Sequence, residues 1–96
     1  LSADDRKRAT VLYRALMAAQ DEAQRGVVEA ERFVRAARAV LDAESGVDVD
    51  YVEVRDPRTL QRVDELGTGA RLLLAAKLGG VRLLDNGPLF PGLRFA

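Results

Sequence analysis

Two spacings divide the chain. Apolar residues first recur at Ala9, Leu12, Leu16, Ala19 and Ala23, with Tyr13 beside them. That is one face of an amphipathic helix. Ser2 followed by Asp5 reads as a capping box with Asp in place of Glu, and Gly26 ends the helix. A second stripe runs through Ala30, Phe33, Val34, Ala37, Val40 and Leu41, with Glu31, Arg32, Arg35 and Arg38 on its outer side. "ESG" closes it, and Gly46 suits the left-handed position after a helix C-terminus. The short break at Gly26 predicts two helices packed antiparallel.

At Val47 the period falls to two. "VDVDYVEVRD" predicts a strand with Val52 and Val54 on one face and Tyr51, Glu53 and Arg55 on the other. In "DPRTL", Asp56 as cap and Pro57 at the first helical position predict a brief helical turn. "RLLLAAKLGGVRLLDN", Arg71 to Asn86, is rich enough in Leu and Ala to admit a helix. Gly79 and Gly80 decide for a hairpin, because both positions of a two-residue loop can then take positive φ. The register follows: Leu78 faces Val81, Ala76 faces Leu83 and Leu74 faces Asp85. Leu72, Leu74, Ala76, Leu78, Val81 and Leu83 form the apolar face. On the other face Lys77 meets Arg82, Ala75 meets Leu84 and Leu73 meets Asn86. The tail "GPLFPGLRFA" reads as an irregular, weakly docked end. The predicted fold is α+β: two antiparallel helices on one face of a small, about three-stranded antiparallel sheet, with 1–96 as a single domain.

Composition narrows the chemistry. A hydrophobic fraction of 48% and a charged fraction of 31% over 96 residues fit a globular protein. Zero net charge speaks against a dedicated nucleic-acid binder. There is no cysteine and no histidine, so disulfides, thiolate metal sites and histidine-based catalysis are excluded. No apolar run approaches the ~20 residues that cross a bilayer. The first ten residues, "LSADDRKRAT", are not a signal peptide, and a cytoplasmic location fits. The chain begins with Leu, which suggests a fragment of a longer protein.

Like charges facing each other on a sheet are unfavourable. Two readings of Lys77 and Arg82 stand. Either both splay into water near the turn or are neutralised by Glu53, or the polar face of Tyr51, Glu53, Arg55, Lys77 and Arg82 lines a cleft for an anion. Arginine suits phosphate because its planar fork can bind two oxygens. Asp48, Asp50 and Asp56 lack the spacing of a calcium loop, and the first two read as solvated strand residues. Arg32, Arg35 and Arg38 read as a solvated helix face. Asp85 and Asn86 read as a turn-forming strand end. No metal site and no self-contained catalytic set emerge.

"VDYVEVRDPRTL" followed by "RLLLAAKLGGVRLLDN", after two amphipathic helices and an N-terminal "LS", resembles the C-terminal domain of the pantothenate synthetase (pantoate–β-alanine ligase) family. The resemblance implies part of an AMP-forming ligase that uses ATP and magnesium to join pantoate to β-alanine through a pantoyl adenylate, on the route to coenzyme A. It implies a lid that closes over the nucleotide site of an N-terminal catalytic domain of the same chain. The family's phosphate-binding histidines and Ser-Arg loop belong to that domain, and none maps onto this chain. The parent enzyme would be a homodimer. The isolated piece would be inactive and hold no cofactor. On this resemblance Arg82 and Lys77 become candidate contacts to ATP phosphates. The alternative is a free-standing small α+β module for protein interaction or regulation. No nucleic-acid or membrane partner is expected.

Overall fold

The computed structural model describes residues 3–92, with side chains from Thr10 onward. Its elements are α1 (Ala3–Gln24), α2 (Ala30–Ala43), β1 (Val47–Arg55), β2 (Ala70–Leu78) and β3 (Val81–Leu89). The three strands form one antiparallel sheet in the order β1-β2-β3. Both helices pack on the same face, α1 over β3 and β2, and α2 over β1. The fold is the α+β arrangement the spacing predicts.

On α1 the buried positions are Val11, Leu12, Ala15, Leu16, Ala19 and Ala23. The stripe takes in Val11 and Ala15 beyond its outline in the sequence, the expected Ala9 lies outside the described side chains, and Tyr13 lies off the stripe, exposed. The expected Ser2–Asp5 capping box lies outside the described residues. The helix ends in a Schellman turn. Gly26, at φ +92°, donates to the Ala23 carbonyl, and Val27 donates to that of Glu22. On α2, Ala30, Phe33, Ala37 and Leu41 are buried, and Val34 and Val40 are half-buried. Glu22 near the end of α1 lies 3.6 Å from Arg32 near the start of α2, and Arg14 lies 3.6 Å from Glu44 at its end. The helices therefore run antiparallel. Arg35 and Arg38 pair with Glu31 and Asp42 on the exposed side of their own helix.

A bulge sits between Val49 and Tyr51 in β1. Strict alternation from Val47 and Val49 would put Tyr51 and Glu53 on the core face. The extra residue, Asp50, resets the phase, so that Val47, Val49, Val52 and Val54 all serve the core. The β2–β3 hairpin has the expected register at every position, and Gly79 and Gly80 take φ of +57° and +78°. Val81 is exposed beside that turn, so the apolar face stops short of it.

Three expectations for the end of the chain need correction. β3 does not stop at Asn86 but continues to Leu89, which is fully buried. Asp85 and Asn86 are therefore mid-strand residues. The tail to Gly92 is docked, not loose: Gln20 Nε2 donates to the Pro88 carbonyl at 3.0 Å, and the Gly92 amide donates to the Ala23 carbonyl at 2.9 Å. Gly87 explains this, since a Cβ there would lie 2.7 Å from a Leu16 methyl. Without a side chain, α1 comes close enough to hold the strand end. Pro88 is tolerated because β3 is an edge strand.

Candidate functional site

The face of the sheet away from the helices carries the candidate residues, and the register sorts them into rows. Asp48, Lys77 and Arg82 form the row nearest the Gly79–Gly80 turn. Tyr51, Ala75 and Leu84 follow, then Glu53, Leu73 and Asn86, and last Arg55, Arg71 and Pro88.

The first row resolves the like-charge pair. Lys77 lies directly opposite Asp48. Arg82 reaches from β3 across β2 to Asp50, with Nη2 2.9 Å from Oδ2. Asp48, Val49, Asp50 and Lys77 line a groove of about 190 Å³. Asp50 pairs with Arg82, Asp48 stands opposite Lys77 in the register, and all four groups are reached by water. An ion pair this exposed stabilises by about 1 kcal/mol or less. Asp50 is thus a counter-ion and not merely a solvated strand residue. One signal in the sequence could have found it: the valines at 47 and 49, then 52 and 54, break step by one residue where Asp50 stands.

Glu53 does not serve Lys77 or Arg82, as one sequence reading has it. Its Oε2 accepts two bonds from Arg55, at 3.0 and 2.6 Å, and Arg62 lies 3.6 Å from its Oε1. Arg55 also donates to the Leu60 carbonyl at 3.0 Å. The row of Tyr51, Ala75 and Leu84 separates this cluster from the first, with Ala75 buried and Leu84 exposed. The five polar residues grouped by sequence therefore do not line one cleft. Lys77 and Arg82 are brought together, while Glu53 and Arg55 lie toward the other end of the sheet.

At that other end the "DPRTL" turn forms as expected. Asp56 Oδ1 accepts from the amides of Arg58 at 2.7 Å and Thr59 at 3.1 Å, and the Leu60 amide closes one helical turn onto the Asp56 carbonyl. These amide bonds, with the nearby Arg58 charge, hold the Asp56 carboxyl below its ordinary value of 3.8. A depressed carboxyl stabilises the fold above the unfolded-state pKa, and that contribution is lost as pH falls through the folded value. The stability gap between the wild type and Asp56→Ala should therefore be constant from about pH 7 to about pH 5 and narrow below the ordinary value. Urea denaturation across that range checks it; a gap that persists undiminished in acid would show that the ionised carboxylate is not the source.

Among the described residues no three carboxylates are placed to hold a metal ion. No described helix is long and apolar enough to cross a membrane.

Comparison with known proteins agrees with this fold and these motifs. The family model for pantoate-beta-alanine ligase matches residues 1–88. The pantothenate synthetase of Nocardioides sp. is 47% identical over 96 residues, covering 98% of this chain and 28% of that protein. The one from Rubrobacter xylanophilus is 48% identical over 90 residues, covering 93% and 31%. The crystal structure of pantothenate synthetase from Thermus thermophilus superposes with a TM-score of 0.87 at 35% identity, over 95% of this chain and 33% of that one. The chain thus spans about three tenths of the length of these relatives. By sequence and by fold, the chain belongs to the pantoate–β-alanine ligase family.

Proposed function

We propose that the chain is the C-terminal lid domain of an ATP-dependent pantoate–β-alanine ligase, closing over the nucleotide site of a separate catalytic domain. The observation that carries this reading is the pairing of a family match over residues 1–88 with coverage of under a third of each relative. A piece of that size, with no histidine and no catalytic cluster among the described residues, suits a covering role better than a chemical one. An acyl adenylate must be kept from water until the amine of β-alanine attacks, and a closing domain excludes water. In this reading the rest of the enzyme supplies pantoate, ATP and magnesium binding and the homodimer contact.

The row of Lys77 and Arg82 is the edge that would meet phosphate. Among the described residues Arg82 is held by one exposed carboxylate, so exchanging Asp50 for a phosphate oxygen costs about 1 kcal/mol or less before the new bond forms. A guanidinium there favours the charge that develops as pyrophosphate leaves, and it moves no proton. Replacing Arg82 with Ala in the whole enzyme is expected to slow pyrophosphate release by roughly tenfold to a hundredfold, with an unchanged melting profile. An unaltered rate in a folded variant would return Arg82 to a purely structural pairing. The 96-residue chain alone, given ATP, pantoate and β-alanine, should form no pantothenate. Turnover by the purified chain would overturn the lid reading itself.

A further inference from the structure

The end of the sheet opposite the Gly79–Gly80 turn holds a second concavity, of about 380 Å³. The "DPRTL" turn supplies Pro57 and Arg58, the loop before β2 supplies Thr68 and Gly69, and the strand ends supply Arg71, Pro88 and Phe90. Its charge state differs from that of the first row. The Arg58 guanidinium has no ion pair within 4 Å among the described residues, in contrast to Arg82. Arg71 donates through Nε to Asn86 Oδ1 at 2.8 Å, and among the described residues its two terminal nitrogens make no hydrogen bond. The Thr68 hydroxyl makes no hydrogen bond among the described residues. Asp56 also lines the site, but its Oδ1 is taken by two backbone amides. Two guanidinium groups against one carboxylate leave a net positive hollow.

The walls add a second kind of contact. Phe90, 61% exposed, lines the concavity together with Pro88 and Pro57. Unpaired guanidinium groups, a free hydroxyl and an exposed ring together match a phosphate attached to a planar or apolar body. A phosphate monoester carries nearly two negative charges near neutral pH and three acceptor oxygens, enough to engage both arginines and the hydroxyl.

We propose that this concavity is a binding site for a small phosphate monoester, with Arg58, Arg71 and Thr68 holding the phosphate and Phe90 the body of the ligand. The site lies at the end of the sheet away from Lys77 and Arg82, so it stands whether or not the lid reading holds.

The test is a titration of the isotopically labelled chain with adenosine 5′-monophosphate, followed by amide chemical shifts. Ribose 5-phosphate and adenosine serve as the two part-ligands. The nucleotide should move the amides of Arg58, Thr68, Gly69 and Arg71 saturably, with a Kd of about 1 mM or tighter. Ribose 5-phosphate should move the same amides with weaker affinity, and adenosine should leave them in place. Arg58→Ala should weaken binding by about tenfold or more; it keeps the backbone amide that Asp56 accepts from and removes only an exposed side chain, so the fold is retained. Arg71→Lys, which keeps the charge and loses the fork, should fall between the two. The proposal is overturned by shifts that centre on Lys77 and Arg82, by adenosine binding as tightly as its monophosphate, by an Arg58→Ala variant that binds like the wild type, or by no saturable shift up to about 10 mM nucleotide.

Discussion

Phe33→Ala is expected to lower the stability of the chain by about 3–5 kcal/mol, the largest effect of any single side-chain truncation here. Phe33 is fully buried and is the largest side chain in the core. Its neighbours on the buried face of α2 are Ala30, Ala37 and Leu41, and α1 brings Ala15, Ala19 and Ala23 to the same core. These small residues let the helices and sheet come close, and the phenyl ring fills the space between. Alanine there loses the transfer energy of the ring and leaves a cavity, whose cost adds to it. A chain of 96 residues has a total stability of about 5–14 kcal/mol, so the variant keeps little margin. Urea denaturation measures it, with Phe33→Leu as the graded control that should lose about half as much. A loss below about 1 kcal/mol for the alanine would mean that Phe33 is not the centre of the core.

Deleting a single residue should unfold the chain in one strand and be tolerated in another. Remove Ala75 from the middle of β2, and one half of that strand must turn over. If the second half turns, Lys77 points into the core and Leu78 leaves it. Leu78 is 1% exposed, so its loss alone costs about 1.5–3 kcal/mol, and an unpaired lysine in its place costs several more. The sum is comparable to the lower end of the total stability expected for a domain this size. Remove Asp50 from β1, and the reverse holds. Val47, Asp48, Val49, Tyr51, Val52, Glu53 and Val54 then alternate without a bulge, and every valine keeps its face. The deletion removes only the exposed partner of Arg82, a change of about 1 kcal/mol. Far-ultraviolet circular dichroism and a melting curve separate the two outcomes. A folded Ala75 deletion, or an unfolded Asp50 deletion, would contradict the register described here.

The same strand shows what can be read from residues and what cannot. The bulge is legible in principle, because the valines change phase at Asp50. Reading β1 as one period hides it, and with it the counter-ion of Arg82. The hairpin is legible in full, since a loop of only Gly79 and Gly80 sets the register along both strands. The tail misleads because its glycines and prolines suggest a loop. Gly87 is there for the approach of Leu16, which lies on the first helix, far away along the chain. Tyr13 sits one step around the helix from where the stripe suggests, and spacing among alanines does not decide that step. The candidate phosphate hollow is invisible along the chain. Its two arginines belong to separate segments, and Phe90 lies in the supposed loose end.

The sequence by itself determined the helix stripes, the hairpin and its register, the α+β class and the family, because these rest on local spacing or on contiguous motifs. Only the tertiary structure decided which charges meet. Lys77 and Arg82 are adjacent by hairpin register alone, but the carboxylates that balance them come from β1, and Glu53 is drawn away by Arg55 and Arg62. Side chains that reach across a strand choose partners by distance in space, and a one-dimensional pattern carries no measure of that distance.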